Sequence, residues 1–382
     1  MFVRSSIALL RSVALSRKRV ELHPESVQSL TIIELTRLGD VIAILSAIAP
    51  LARRFGGATV HLIVDDRFVS LLQGFQLPAT IHGISRSLTI AGSIRGLRLV
   101  RSLNPDIALS MSPANRNAFL ALAGGARFAA GYLGYSKSLV PGTPAMEVET
   151  AGFKAASDES QSPETLSKRG ARVCRIFGID LEPPSDVLLR PEVAQRVRLL
   201  LQRDRAVPLE DYVVIHPFSH WEYRSWSTLK YVSLARAIVS RFGCHVIFIG
   251  APHEEERLQW IRQQCGPDDR FDSFSPHDLL QSAVLIKGAS LFVGNDSGPL
   301  HLAAALGIKV IGLFGPASPD LTAPCTKDGT FIYRKLECSP CGQLRCVRPT
   351  DSCMMKITAE EVIAEAFRMY ESGHPVSRSA HA

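Results

Sequence analysis

From residue 30 onward, short apolar runs alternate with longer stretches in which apolar positions recur every three or four residues. Residues 30–35 form a β-type run, followed by the turn Thr36-Arg37-Leu38-Gly39-Asp40 and a helical pattern over 41–55. A second strand is predicted at 59–64 and a later one at 106–111, with helical segments between. Residues 141–162 turn to Pro, Gly, Ser and Glu without periodicity and read as a mobile loop or insertion. A helix over 163–177 follows, and 178–191 reads as the passage into a second domain. The second half repeats the alternation. Strands are predicted at 212–216, 245–250, 291–294 and 309–314, and helices at 228–242, 253–265, 277–287 and 297–306. Strands this apolar, alternating with helices, predict parallel sheets covered on both faces. Two such halves predict a ligand cleft between them, at the carboxyl ends of the strands.

Composition narrows the picture. A chain of 382 residues exceeds one ordinary core, and 46% hydrophobic with 21% charged residues excludes a disordered chain. The expected organisation is a basic extension (1–28), two Rossmann-like domains (29–185 and 186–372) and a disordered tail (373–382). The net charge of +7 favours an anionic partner. A phosphorylated donor and an anionic lipid surface both satisfy it. Nucleic acid is disfavoured, because only 7% of residues are aromatic and no basic–aromatic stripe appears. In the first 28 residues Arg4, Arg11, Arg17, Lys18 and Arg19 flank short apolar runs. That pattern lacks the apolar core of a signal peptide and suits either a disordered extension or a segment resting on a membrane. No run reaches the roughly 18 apolar residues that a membrane span needs. Cysteine usage predicts a reducing compartment.

Five segments could carry chemistry. The most informative begins Leu291-Phe-Val-Gly-Asn-Asp-Ser-Gly-Pro-Leu-His301. An apolar strand ends at Asn295-Asp296 and a helix opens at Ser297-Gly298-Pro299, which makes an anion site of the helix amides. Ser297 adds a hydroxyl, Gly298 permits close approach, and His301 lies one turn in. The alternative is a simple cap, with Asp296 or Ser297 bonding a helix amide. In the turn after the first strand, Asp40 would repel phosphate, which suits a general base better, or else an N-cap. In the loop 216–226, Ser219 and Arg224 could meet a pyrophosphate, and the two tryptophans there could pack the domain interface or stack on a base, packing being the expectation. In 250–257 the strand ends at Gly250 and acids open the next helix, where Glu254 could grip ribose hydroxyls. Finally, Cys338, Cys341, Cys346 and Cys353 place four thiols within sixteen positions. Structural zinc, disulfide pairing and reduced thiols are all compatible with that spacing, and catalytic zinc is not expected.

Together these residues resemble glycosyltransferase family 9, the heptosyltransferases. Leu38-Gly39-Asp40-Val41 is similar to the family's amino-terminal motif, and Asn295-Asp-Ser-Gly-Pro-Leu-His301 with Ala305-Leu-Gly307 and Leu313-Phe-Gly-Pro316 to its most specific signature. Residues 250–257 and the Cys-Ser-Pro-Cys cluster also match, so the resemblance runs from about residue 30 to 370. It implies an α/β GT-B fold, two Rossmann-like parallel-sheet domains facing across a cleft, with acceptor on the first and donor on the second. It implies an inverting reaction that requires no metal and no cofactor, with ADP-heptose as the donor substrate and a lipid-linked glycan of the lipopolysaccharide core as acceptor. By this resemblance Asp40 is the catalytic base and Arg224 the phosphate-loop cation, although members usually place a Lys directly before the Trp. Ser219, Glu254, Asp296, Ser297, Gly298 and His301 are the expected donor-binding residues. The resemblance places the protein in the cytoplasm, with a peripheral contact on the inner membrane surface. Another nucleotide sugar or acceptor on the same fold is the alternative reading. A non-catalytic nucleotide-sugar-binding protein is a further one.

Overall fold

The computed structural model describes residues 23–85, 89–112, 114–132, 153–155, 166–181, 187–204, 211–341 and 345–372. The chain divides into two compact units, Met1–Ser185 and Asp186–Ala382. Each is built on a six-stranded sheet whose strands all pair in parallel.

The first unit runs β1 (Ser29–Glu34), α1 (Leu38–Arg54), β2 (Thr59–Asp65), α2 (Val69–Gln73), β3 (Thr80–Ile84), α3 (Ile90–Ser102), β4 (Ile107–Ser110), α4 (Asn115–Ala123), β5 (Phe128–Gly131), β6 (Phe153–Ala155) and α5 (Leu166–Arg175). The strand order is β3-β2-β1-β4-β5-β6. β1 lies inside the sheet with every residue buried, which is why its sequence is a near-continuous apolar run rather than an alternation. The chain builds outward from β1 in one direction, then returns to start again at β4. The loops after these two neighbouring strands therefore diverge and leave a crevice at their carboxyl ends.

Two expectations change here. The fold begins before residue 29: Val27 is buried, and the Gln28 and Ser29 amides donate to Asp106 Oδ2 at 2.7 and 3.2 Å. The earlier part of the expected extension, residues 1–22, lies outside the described residues, as does the tail from 373. Within the segment read as an aperiodic loop, Phe153–Ala155 adds a strand beside β5. Three residues joined by backbone pairing carry no periodicity to read; the rest of 141–162 lies outside the described residues.

The second unit runs α6 (Pro191–Asp204), β7 (Tyr212–His216), α7 (Thr228–Phe242), β8 (His245–Ile249), α8 (Glu255–Cys265), β9 (Phe271–Phe274), α9 (Leu279–Lys287), β10 (Leu291–Asn295), α10 (Gly298–Ala305), β11 (Val310–Phe314), α11 (Pro319–Thr322), β12 (Gly329–Tyr333) and α12 (Ala359–Glu371). The order β12-β11-β10-β7-β8-β9 reverses between β7 and β10. Apolar side chains of the inner strands share one core with Trp226, Tyr231 and the buried face of α12. Trp226 sits edge-on to Tyr231 with ring centroids 4.8 Å apart, and its indole N–H donates to the Ile357 carbonyl at 2.9 Å. It packs inside the core of the second unit. Among the described residues no helix is long and apolar enough to cross a membrane.

Candidate functional site

In the second unit Arg224, Asp296 and Ser297, singled out from sequence, gather at the point where strand order reverses. Gly294 on β10 lies opposite His216 on β7, and a Cβ at Gly294 would stand only 3.1 Å from the His216 carbonyl oxygen. The missing side chain lets the two strands run close at the crevice. The next residue, Asn295, is fully buried and ties the crevice walls together. Its Oδ1 accepts from the Trp226 amide (2.9 Å) and the Tyr231 hydroxyl (3.0 Å), while its Nδ2 donates to the Pro217 carbonyl (2.9 Å). The loop after β7 is thereby fastened to the end of β10.

Asp296 and Arg224 meet on this frame. Arg224 Nη1 lies 3.4 Å from Asp296 Oδ2, with side-chain exposures of 12% and 5%. The same Oδ2 accepts from the Thr322 hydroxyl at 3.1 Å. One carboxylate thus joins the loops after β7, β10 and β11, and a buried pair of this kind is retained only when further hydrogen bonds satisfy it. Ser297 is the N-cap residue of α10, yet its side chain caps no amide. Its hydroxyl instead lies 3.3 Å from His216 Nδ1, so the simple-cap alternative for Ser297 is not what the structure shows. Burial drives the His216 imidazole down to about 4, leaving it neutral at physiological pH. Gly298 and Pro299 open the helix, and the amides of its first turn point toward the crevice end. His301 is buried, only 4% exposed. Ser219, in the loop after β7, has a buried hydroxyl oxygen with no hydrogen-bond partner among the described residues. Glu254 stands at the end of β8 in a short 3-10 turn, where its Oε2 accepts from the Ala251 amide at 2.8 Å.

In the first unit Asp40 is not the N-cap that one reading allowed. The helix starts earlier, with Arg37 at the cap and Asp40 in the first turn. Asp40 Oδ2 accepts from the Arg37 amide at 3.4 Å, and Oδ1 pairs with Arg169 Nη1 of α5 at 2.9 Å, both side chains being 16% exposed. Beside it lies a residue that sequence reasoning missed. Glu34, at the end of β1, is fully buried and bonded by the Thr36 amide (3.1 Å), the Thr36 hydroxyl and the Ser112 hydroxyl. Burial pushes its carboxyl up to about 7, and the charge of Asp40 adds to the push, against the hydrogen bonds from Ser112 and Thr36. The signal was present: a lone acid closing an apolar strand. Thr322 and Arg169 had no such signal, since nothing in their own segments marks them.

The four clustered cysteines are free, with Cys338 exposed, Cys341 and Cys346 half-buried and Cys353 buried. Burial raises the Cys353 thiol to about 11. Among the described residues no group of three or more His, Cys, Asp or Glu side chains is arranged to hold a metal ion.

Two Rossmann-like units, each with polar residues collected where the strand order reverses, define the class of protein. Residues 97–350 match the model of glycosyltransferase family 9 (heptosyltransferase), and the chain belongs to that family. The lipooligosaccharide heptosyltransferase 2 of Campylobacter jejuni is 34% identical over 85 residues, 22% of this chain and 27% of that enzyme; the chain thus aligns with about a quarter of that relative's length. Over 90% of the chain, the structure resembles the family 9 glycosyl transferase of Veillonella parvula (TM-score 0.71, 18% identity, 97% of that chain). It also resembles the ADP-heptose lipopolysaccharide heptosyltransferase II of E. coli (TM-score 0.69, 17% identity, 90% of this chain and 99% of that one). The fold is therefore GT-B.

Proposed function

We propose that this protein is an inverting glycosyltransferase that moves a heptose from ADP-heptose to a glycan acceptor of the lipopolysaccharide core. The observation that carries the reading is the cluster at the β7–β10 crevice. Arg224, paired with Asp296 just before α10, and the first turn of that helix stand together there, and such groups stabilise a departing diphosphate; Ser219, in the same loop as Arg224, is assigned to the same donor site. Asp296 and Thr322 hold Arg224 in place, neutral His216 orients Ser297, and Glu254 serves the nucleoside end. His301 supports the α10 turn from within. Asp40 of the first unit takes the proton of the acceptor hydroxyl as that oxygen attacks the anomeric carbon. The reading needs no metal and no cofactor. It places the protein in the cytoplasm, in peripheral contact with the inner membrane that carries the acceptor.

A thermal-shift panel with ADP, UDP, GDP, CMP and ADP-heptose tests the donor. A ligand at about 100 times its dissociation constant adds roughly 2.7 kcal/mol to the folded state, so the donor nucleotide is expected to stand out. A selective shift with ADP and ADP-heptose supports the reading; a shift with UDP or GDP replaces the donor and keeps the rest. For the base, Asp40→Asn is expected to lower turnover at least about a hundredfold while leaving ADP affinity nearly intact. Near-normal turnover removes Asp40 from the mechanism.

A further inference from the structure

Packing alone does not call for an acid at the end of β1. A carboxyl group at 0% exposure is costly unless every oxygen is bonded, and Glu34 is bonded from two directions. Thr36 supplies its amide and hydroxyl from the loop leading to Asp40. Ser112 supplies its hydroxyl, and Asn117 Nδ2 stands 3.5 Å away, both from the segment after β4. Asn117 then accepts from the Leu35 amide at 3.2 Å and closes the clamp. Just beyond it, the Arg37 amide and Arg169 hold the two oxygens of Asp40.

We propose that Glu34 is the positioning residue for Asp40: it holds the loop that presents Asp40 and sets a second carboxyl beside it. The inference rests on Asp40 being the base. In the transfer step the acceptor hydroxyl gives its proton to the Asp40 carboxylate while its oxygen bonds the anomeric carbon. The bond from that carbon to the diphosphate breaks, and its electron pair leaves with the diphosphate. Glu34 exchanges no proton with substrate. It acts through the loop that Thr36 fastens to it and through the charge it carries beside Asp40 once it has lost its own proton. Other charges nearby are already engaged. Asp65, at the end of β2, pairs with Arg67 at 2.8 Å. Arg116 of α4 donates to the carbonyls of Ser85 and Gly92, and Arg169 pairs with Asp40.

The test is carbon-13 NMR of the full-length protein labelled at aspartate and glutamate carboxyls, titrated from about pH 5 to 9. The Glu34 resonance is the one lost in Glu34→Gln and the Asp40 resonance the one lost in Asp40→Asn. Glu34 is expected to titrate with a midpoint near the value of about 7 that its burial sets. The Asp40 resonance should sense the ionisation of Glu34 as a chemical-shift step over the same range, and that step should vanish in Glu34→Gln. Ser112→Ala, which removes a donor to the Glu34 anion, should move the step to higher pH; it keeps the test decisive if Glu34→Gln does not fold. Glu34 titrating with the exposed glutamates, or an Asp40 resonance blind to it, overturns the inference. Turnover of Asp40→Asn is a separate readout. If that variant stays active while the step is present, the base assignment falls and the coupling stands.

Discussion

Asn295 gives the sharpest test of how the crevice between β7 and β10 is built. It is fully buried, and its amide group satisfies three buried partners at 2.9–3.0 Å: the Trp226 amide, the Tyr231 hydroxyl and the Pro217 carbonyl. Replacing it with Ala leaves all three without a partner. Each orphaned buried group costs about 1–3 kcal/mol, so Asn295→Ala is expected to destabilise the second unit by about 4 kcal/mol after partial relaxation. Asn295→Asp asks a finer question. One carboxyl oxygen can still accept from Trp226 and Tyr231, but the other faces the Pro217 carbonyl and bonds it only when it carries a proton. The folded state therefore raises the pKa of the new carboxyl above its unfolded value of about 3.9. The stability of that variant is present in acid and is lost as pH rises through the folded pKa. Urea unfolding followed by tryptophan fluorescence measures this directly, because all three tryptophans, Trp221, Trp226 and Trp260, belong to the second unit. An Asn295→Ala penalty below about 1 kcal/mol would refute the reasoning. So would an Asn295→Asp penalty that is the same in acid as at neutral pH.

Other outcomes are expected from the same geometry. Glu34 binds its proton more tightly when folded, burial pushing its carboxyl up to about 7, so its contribution is full below the ordinary carboxylate range and fades as pH rises through the higher value. The loss is on the order of 3 kcal/mol, and Glu34→Gln should flatten that part of a stability–pH curve measured by denaturant unfolding. Arg224→Ala should weaken ADP binding and turnover together by roughly 10- to 100-fold, and Thr322→Val, which removes one bond to Asp296, by only a few-fold. Calorimetric titration with ADP separates the two, and unchanged affinity in Arg224→Ala would assign the diphosphate to another cation. Gly131→Ala should cost about 3 kcal/mol or more in thermal unfolding, because φ is +113° and the added Cβ would stand 2.0 Å from the Ser110 carbonyl oxygen.

Local order determined much of this protein. Apolar runs at 212–216 and 309–314 are strands because each is buried on both faces of a parallel sheet, and their composition shows it directly. The Asn-Asp-Ser-Gly-Pro segment announces a strand end and a helix start in its own residues. The edge strands β9 and β12 were not legible, since residues along them stay partly exposed and their sequences lose the apolar run. Helix α12 was missed although its apolar face seals the core. Partnership across the fold was beyond reading from the chain. Asp296 looked like a cap or a ligand contact, and only the sheet order brings Arg224 and Thr322 to its oxygens. Asp40 was visible as a lone carboxylate after a strand. Its link to Glu34, Ser112 and Arg169 depends on β4 lying beside β1 and on α5 packing against α1. Periodicity reports which face of an element is buried. Hydrogen bonds and charge coupling depend on which elements become neighbours, and in these two sheets the neighbours that build the sites are far apart in sequence.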